Sequence, residues 1–147
     1  MPFRHSILLA CALALALPVA AHEPNFCQQA TPHPIDVAFE RAIARSGGIT
    51  ADMRDAQAIA YAAWDKQLNE VYGVLVKQLP KPVAARLRAS QRAWLAWDRS
   101  QTEADWSLLA DDGTGAALQV SDMGRERLRA RVCELQGWQL LVEPGAD

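Results

Sequence analysis

Few residues of this chain are of a type that does chemistry, and their spacing argues against most of it. His22 and His33 lie in a proline-rich stretch and form no spaced ligand pair on a helix. Cys27 and Cys133 lack the close pairing of a zinc site. Cleavage ahead of His22 would expose an amine and an imidazole able to take copper, with His33 as a second ligand. The plainer reading is two exposed polar residues on a loose arm, and neither a metal nor a cofactor is expected. Ser46, Ser90, Ser100, Ser107 and Ser121 have no glycine elbow, and the helical region offers no histidine to act as their base. Glu103 with Asp105, and Asp111 with Asp112, pair acids with nothing to separate their pKa values. Gly113-Thr114-Gly115 lacks the lysine and spacing of a phosphate loop. These residues do not make an enzyme.

A polar stripe inside otherwise apolar helical segments is more informative. Asp65, Asn69 and Tyr72 fall at i, i+4 and i+7, on one helix face with Tyr61 and Leu68. Gln91, Arg92, Trp94, Asp98 and Arg99 follow on the next helical segment, where a hairpin would bring them opposite. One reading is internal pairing, for example Asp65 with Arg92 or Arg99, since buried polar groups need partners. The other is a recognition surface rich in Trp, Tyr and Arg, the residues that dominate interface hot spots.

The elements that must position these groups read almost wholly as helix. Arg4 and His5, an uncharged apolar run from Ile7 to Leu17, and Pro18-Val19-Ala20-Ala21 have the three parts of a cleavable export signal, cut after Ala21. The apolar run is too short to span a membrane, and Cys11 is read as part of the discarded signal rather than as a lipid anchor. Residues 22–34 form an irregular arm with prolines at 24, 32 and 34. Residues 35–147 form a single helical domain. Its first, short helix ends at Ser46-Gly47-Gly48. Thr50 is the expected N-cap of a long helix in which Met53, Ala56, Ala60, Trp64, Leu68, Val71, Leu75 and Leu79 step by three or four. Pro80-Lys81-Pro82 breaks it, so the third helix, about Pro82 to Leu109, returns antiparallel, with Leu87, Ser90 or Gln91, Trp94 and Trp97 or Asp98 inward. After the loop Asp111–Gly115, a last helix carries Val120, Met123, Leu128, Val132, Leu135 and Trp138. No β-type alternation appears. The expected fold is all-α: a small helical bundle built on a long antiparallel hairpin.

Charge and cysteine usage narrow the partners. With 15 basic and 17 acidic residues and no dominant basic patch, nucleic acid is not an expected partner. Arg125-Glu126-Arg127-Leu128-Arg129-Ala130-Arg131 reads as a solvated helix face. In an exported chain, Cys27 and Cys133 are most simply a disulfide joining the arm to the last helix.

Trp64-Asp65-Lys66-Gln67-Leu68-Asn69-Glu70-Val71-Tyr72, followed by Leu87-Arg88-Ala89-Ser90-Gln91-Arg92-Ala93-Trp94-Leu95, resembles the LprI-type lysozyme-inhibitor family over roughly residues 50 to 135. That family shows an Asp-x-x-Leu-Asn-x-x-Tyr segment and then a Leu-x-x-x-Gln-Arg-x-Trp segment. Here Asp98-Arg99 reverses the family's charge order. Thr102 and Ala56 stand where two cysteines would fall, so Cys27–Cys133 would replace the family's own bridge. The resemblance implies an envelope protein that contacts a protein partner outside the cytoplasm, such as a lysozyme. The Asp111-Asp112 loop would be an acidic projection suited to a basic enzyme's cleft. A periplasmic helical module of other specificity, an immunity or assembly factor, is the alternative.

Overall fold

The computed structural model describes residues 26–142. The export signal expected over residues 1–21, and His22, lie outside them. A short 3₁₀ turn, Phe26–Gln28, leads to α1 (Pro34–Ser46), α2 (Thr50–Gln78), α3 (Lys81–Leu108) and α4 (Thr114–Val142). Among the described residues there is no strand. The helices start and stop where local chemistry requires. Pro34 occupies the first turn of α1, where a missing N–H costs nothing, and the ring of His33 caps it, Nδ1 accepting from the Ile35 amide at 3.3 Å. Gly47 closes α1 in the left-handed region. Pro80 separates α2 from α3. One expected boundary shifts: Ile49, not Thr50, is the N-cap of α2, and no side chain caps it.

The core lies chiefly between α2 and α4. Trp64, Leu68, Val71 and Leu75 of α2 meet Leu128, Val132 and Leu135 of α4, all buried. Gln57 Nε2 donates to the Leu118 carbonyl at 2.9 Å near one end, and Leu75 meets Trp138 across a groove at the other, so the two helices run parallel. The α2–α3 hairpin forms, but it is not where the core sits; α3 leans more on α4 than on α2. Met123, expected inward, is exposed, and Asp98 rather than Trp97 faces in.

The arm belongs to this core. Phe26 is 1% exposed and packs at 4.8 Å, ring to ring, on the fully buried Trp64. His33 is not a loose polar residue: its ring lies 4.5 Å from Trp64 and 4.9 Å from Phe26. Burying side chains of this size contributes about 1.5–3 kcal/mol each. The Cys27–Cys133 disulfide is formed, with Cα atoms 5.4 Å apart, and ties this turn to α4. Cys27 and Gln28 sit in the left-handed region, a conformation that costs a non-glycine residue about 1–2 kcal/mol.

The arginines of α4 correct the solvated-face expectation. Arg125 and Arg131 are 6% and 4% exposed. Residues two apart on a helix point roughly 200° apart, while those four apart share a face. So Arg125 and Arg129 serve one flank, and Arg127 and Arg131 the other. On the first flank, Arg125 lies 4.2 Å over the Phe39 ring of α1, and Arg129 Nε donates to Asp36 at 2.9 Å. On the second, Arg127 bonds Asp98 and Asp105 of α3, each at 2.6 Å, and Thr102 at 2.8 Å. Arg131 Nε donates to Gln91 at 3.1 Å, and Nη1 to Glu134 at 2.6 Å. These guanidinium groups pin α1 and α3 to opposite sides of α4, while Leu128, Val132 and Leu135 hold it to α2.

Candidate functional site

Because polar pairs hold α3 to α4, a groove stays open between α2 and α3, with a volume of about 310 Å³. Seven of the eight stripe residues that the sequence singles out line it: Asp65, Asn69 and Tyr72 from α2, and Gln91, Arg92, Trp94 and Asp98 from α3; Arg99 does not. The i, i+4, i+7 spacing on α2 and the turn at Pro80 bring them there. Leu68 and Leu128 close the floor, and Tyr61 and Leu95 complete the walls. A smaller hollow of about 200 Å³ shares Tyr61 and Asp98 and extends toward Trp106, which is 47% exposed.

The expected pairing across this groove does not form. Asp65 accepts from its own helix neighbour, Asn69 Nδ2, at 3.2 Å, and neither Arg92 nor Arg99 has an ion pair among the described residues. The groups that do pair, Asp98 and Gln91, turn instead to Arg127 and Arg131 of α4. Burial works against the charge of Arg127, yet its hydrogen bonds to Asp98 and Asp105 outweigh that and raise its pKa. Burial raises the Tyr61 phenol as well, with Asp98 and Asp65 adding to the shift, so the groove keeps a neutral hydroxyl there. Arg88 also lines the groove, one turn before Arg92; its i−4 position was the available signal in the sequence.

Asp111 and Asp112 are brought to a different place. They sit exposed in the turn between α3 and α4, closed by Gly113 in the left-handed region and by a bond from the Asp112 amide to the Leu109 carbonyl at 3.0 Å. Asp112 Oδ2 accepts weakly from Gln119 at 3.4 Å. Asp111 has no side-chain partner among the described residues. The turn begins about 15 Å along α3 from Asp98, at 1.5 Å per residue.

Asp98 rather than Arg99 turns inward, which puts the carboxylate where Arg127 meets it. The Thr102 hydroxyl accepts from the same guanidinium. No curated protein and no solved structure matches the chain. The model of one protein family does match, over residues 42–135, which takes in both helical motifs, the whole groove and the acidic turn. By that match the chain belongs to the family described as lysozyme inhibitor LprI.

Proposed function

We propose that this protein is exported and inhibits a lysozyme-type cell-wall hydrolase by protein–protein contact, its acidic α3–α4 turn entering the enzyme's cleft. Membership of the lysozyme inhibitor family, over residues 42–135, is the observation that carries this reading. The turn supports it in kind. Two adjacent carboxylates stand exposed on a rigid support between two long helices, with the charge sign that suits the typically basic lysozymes. Inhibition of this sort needs shape and charge, not a catalytic group. The bundle supplies the first by fastening α3 to α4 through Arg127 and Arg131. Export rests on the signal read in residues 1–21, and among the described residues no helix is long and apolar enough to cross a membrane.

The test is a lysis assay with the purified protein and a c-type lysozyme, comparing the natural chain with Asp111→Asn/Asp112→Asn. The double variant should inhibit about tenfold less well, and its remaining activity should depend less on salt. Equal inhibition by the two proteins would remove the turn from the contact.

A further inference from the structure

The groove between α2 and α3 holds polar groups that nothing in the fold satisfies. Gln91 is 7% exposed, and Arg131 Nε donates to its Oε1, which fixes the amide orientation. Its NH₂ is therefore the free end, without a partner among the described residues. Asn69 gives its NH₂ to Asp65, both to the carboxylate and to the backbone carbonyl at 2.9 Å, which leaves its Oδ1 unpartnered. The phenols of Tyr61 and Tyr72 have no hydrogen-bond partner among the described residues either. Between these groups lies apolar surface from Trp94 and Leu95. Arg88 and Arg92, one turn apart, hold two uncompensated charges on the α3 wall. Lys81 and Arg99 continue their stripe at spacings of seven residues, over about 27 Å of helix.

A flat protein surface pressed onto this groove would leave such donors and acceptors unmatched, at about 1–3 kcal/mol for each one buried. A sugar ring meets them: its C–H face lies on aromatic and aliphatic surface, and its hydroxyls donate and accept in the plane of amide and carboxylate groups. The paired arginines add a demand for negative charge. We propose that the α2–α3 groove binds an acidic oligosaccharide, its ring packed on Trp94 and Leu95, its hydroxyls on Gln91, Asn69 and Asp65, and its carboxylate on Arg88 and Arg92. The hollow toward Trp106 gives a linear chain room to continue. The same chemistry is found in uronic-acid glycans and in the carboxylate-bearing glycans of a cell wall. This site is independent of the acidic turn, and a wall glycan in it would hold the protein beside the polymer that a lysozyme cuts.

Tryptophan-fluorescence titration of the purified protein at low salt tests it, with four probes: trigalacturonic acid, a muramic-acid disaccharide peptide, neutral chitotriose and an Asp/Glu-rich peptide. At least one acidic glycan should bind about tenfold more tightly than chitotriose, and which one binds identifies the source. Arg88→Gln/Arg92→Gln should cost about tenfold in that affinity without moving the unfolding midpoint, and Asn69→Ala should weaken both acidic and neutral glycans. The proposal is overturned if no glycan binds, if chitotriose binds as tightly as the acidic glycans, if the acidic peptide binds as tightly, or if the groove variants change nothing. A protein that inhibits lysozyme yet binds no glycan would keep the inhibitor reading and lose this one.

Discussion

Arg127 shows how a single residue sets the shape of this molecule. Its side chain is 14% exposed and bridges two carboxylates that are each 15% exposed, so removing it would leave both buried without a counter-charge. Arg127→Gln should cost about 2–3 kcal/mol of stability, read from the urea midpoint, because an unpaired buried charge costs more than the pair gains. His33 sets a second test, in pH. Its pKa lies below the usual 6.5, chiefly because burial disfavours the charged ring; Asp36 opposes this and Arg129 adds to it. Unfolded, the ring takes up a proton near 6.5, while in the folded chain it resists, so its contribution is complete above that pH and is lost as the pH falls below it. Protonation also removes the Nδ1 acceptor that caps α1. The melting temperature should therefore drop as the pH falls below about 6.5, and part of that drop should vanish in His33→Asn, which caps without titrating. An unchanged slope in the variant would mean that other groups carry it.

Among the elements, α2 is the one most readable from sequence. Its apolar residues step at three and four for the whole of its length, and every one from Ala56 to Leu75 that the pattern names is buried. The breaks are readable too, since Gly47 and Pro80 act through their own backbone chemistry. α4 is not, because Arg-x-Arg-x-Arg-x-Arg has the look of a water-facing run. The burial of these arginines rests in part on carboxylates, amides and rings that come from other helices, and such partners, 22 to 93 residues away in the chain, leave no local trace. The groove followed the same division. Its residues could be named from helical spacing, but their partners could not, because the pairing that looks natural within the hairpin is made with α4 instead. The 3₁₀ turn was the least readable element, as three prolines near Phe26 conceal a residue at the centre of the core. Its disulfide closes a separation of 106 residues, so Cys27→Ser/Cys133→Ser should lower stability by about 4–5 kcal/mol in the chain-entropy model, seen as an earlier denaturant midpoint. A shift of less than about 1 kcal/mol would mean that Phe26 and His33 dock the turn unaided.

At the scale of the whole molecule, the fold separates two polar regions. A parallel α2–α4 pair forms the dry centre, α1 packs on α2 and is braced to α4 by arginines, α3 is fastened to α4 by arginines, and the hydrophilic surplus collects in the α2–α3 groove and at the α3–α4 turn. The groove is open because α3 is held from behind, and the turn projects because two helices of nearly thirty residues end there. That arrangement fits a protein that acts by contact, and the proposed contact is with a lysozyme. Titrating the purified protein into a fixed amount of lysozyme while following the lysis of cell walls measures this directly. Inhibition should rise with dose and level off near one protein per enzyme for at least one lysozyme class. If lysis is undiminished at a large molar excess across all classes, the protein does not inhibit lysozyme.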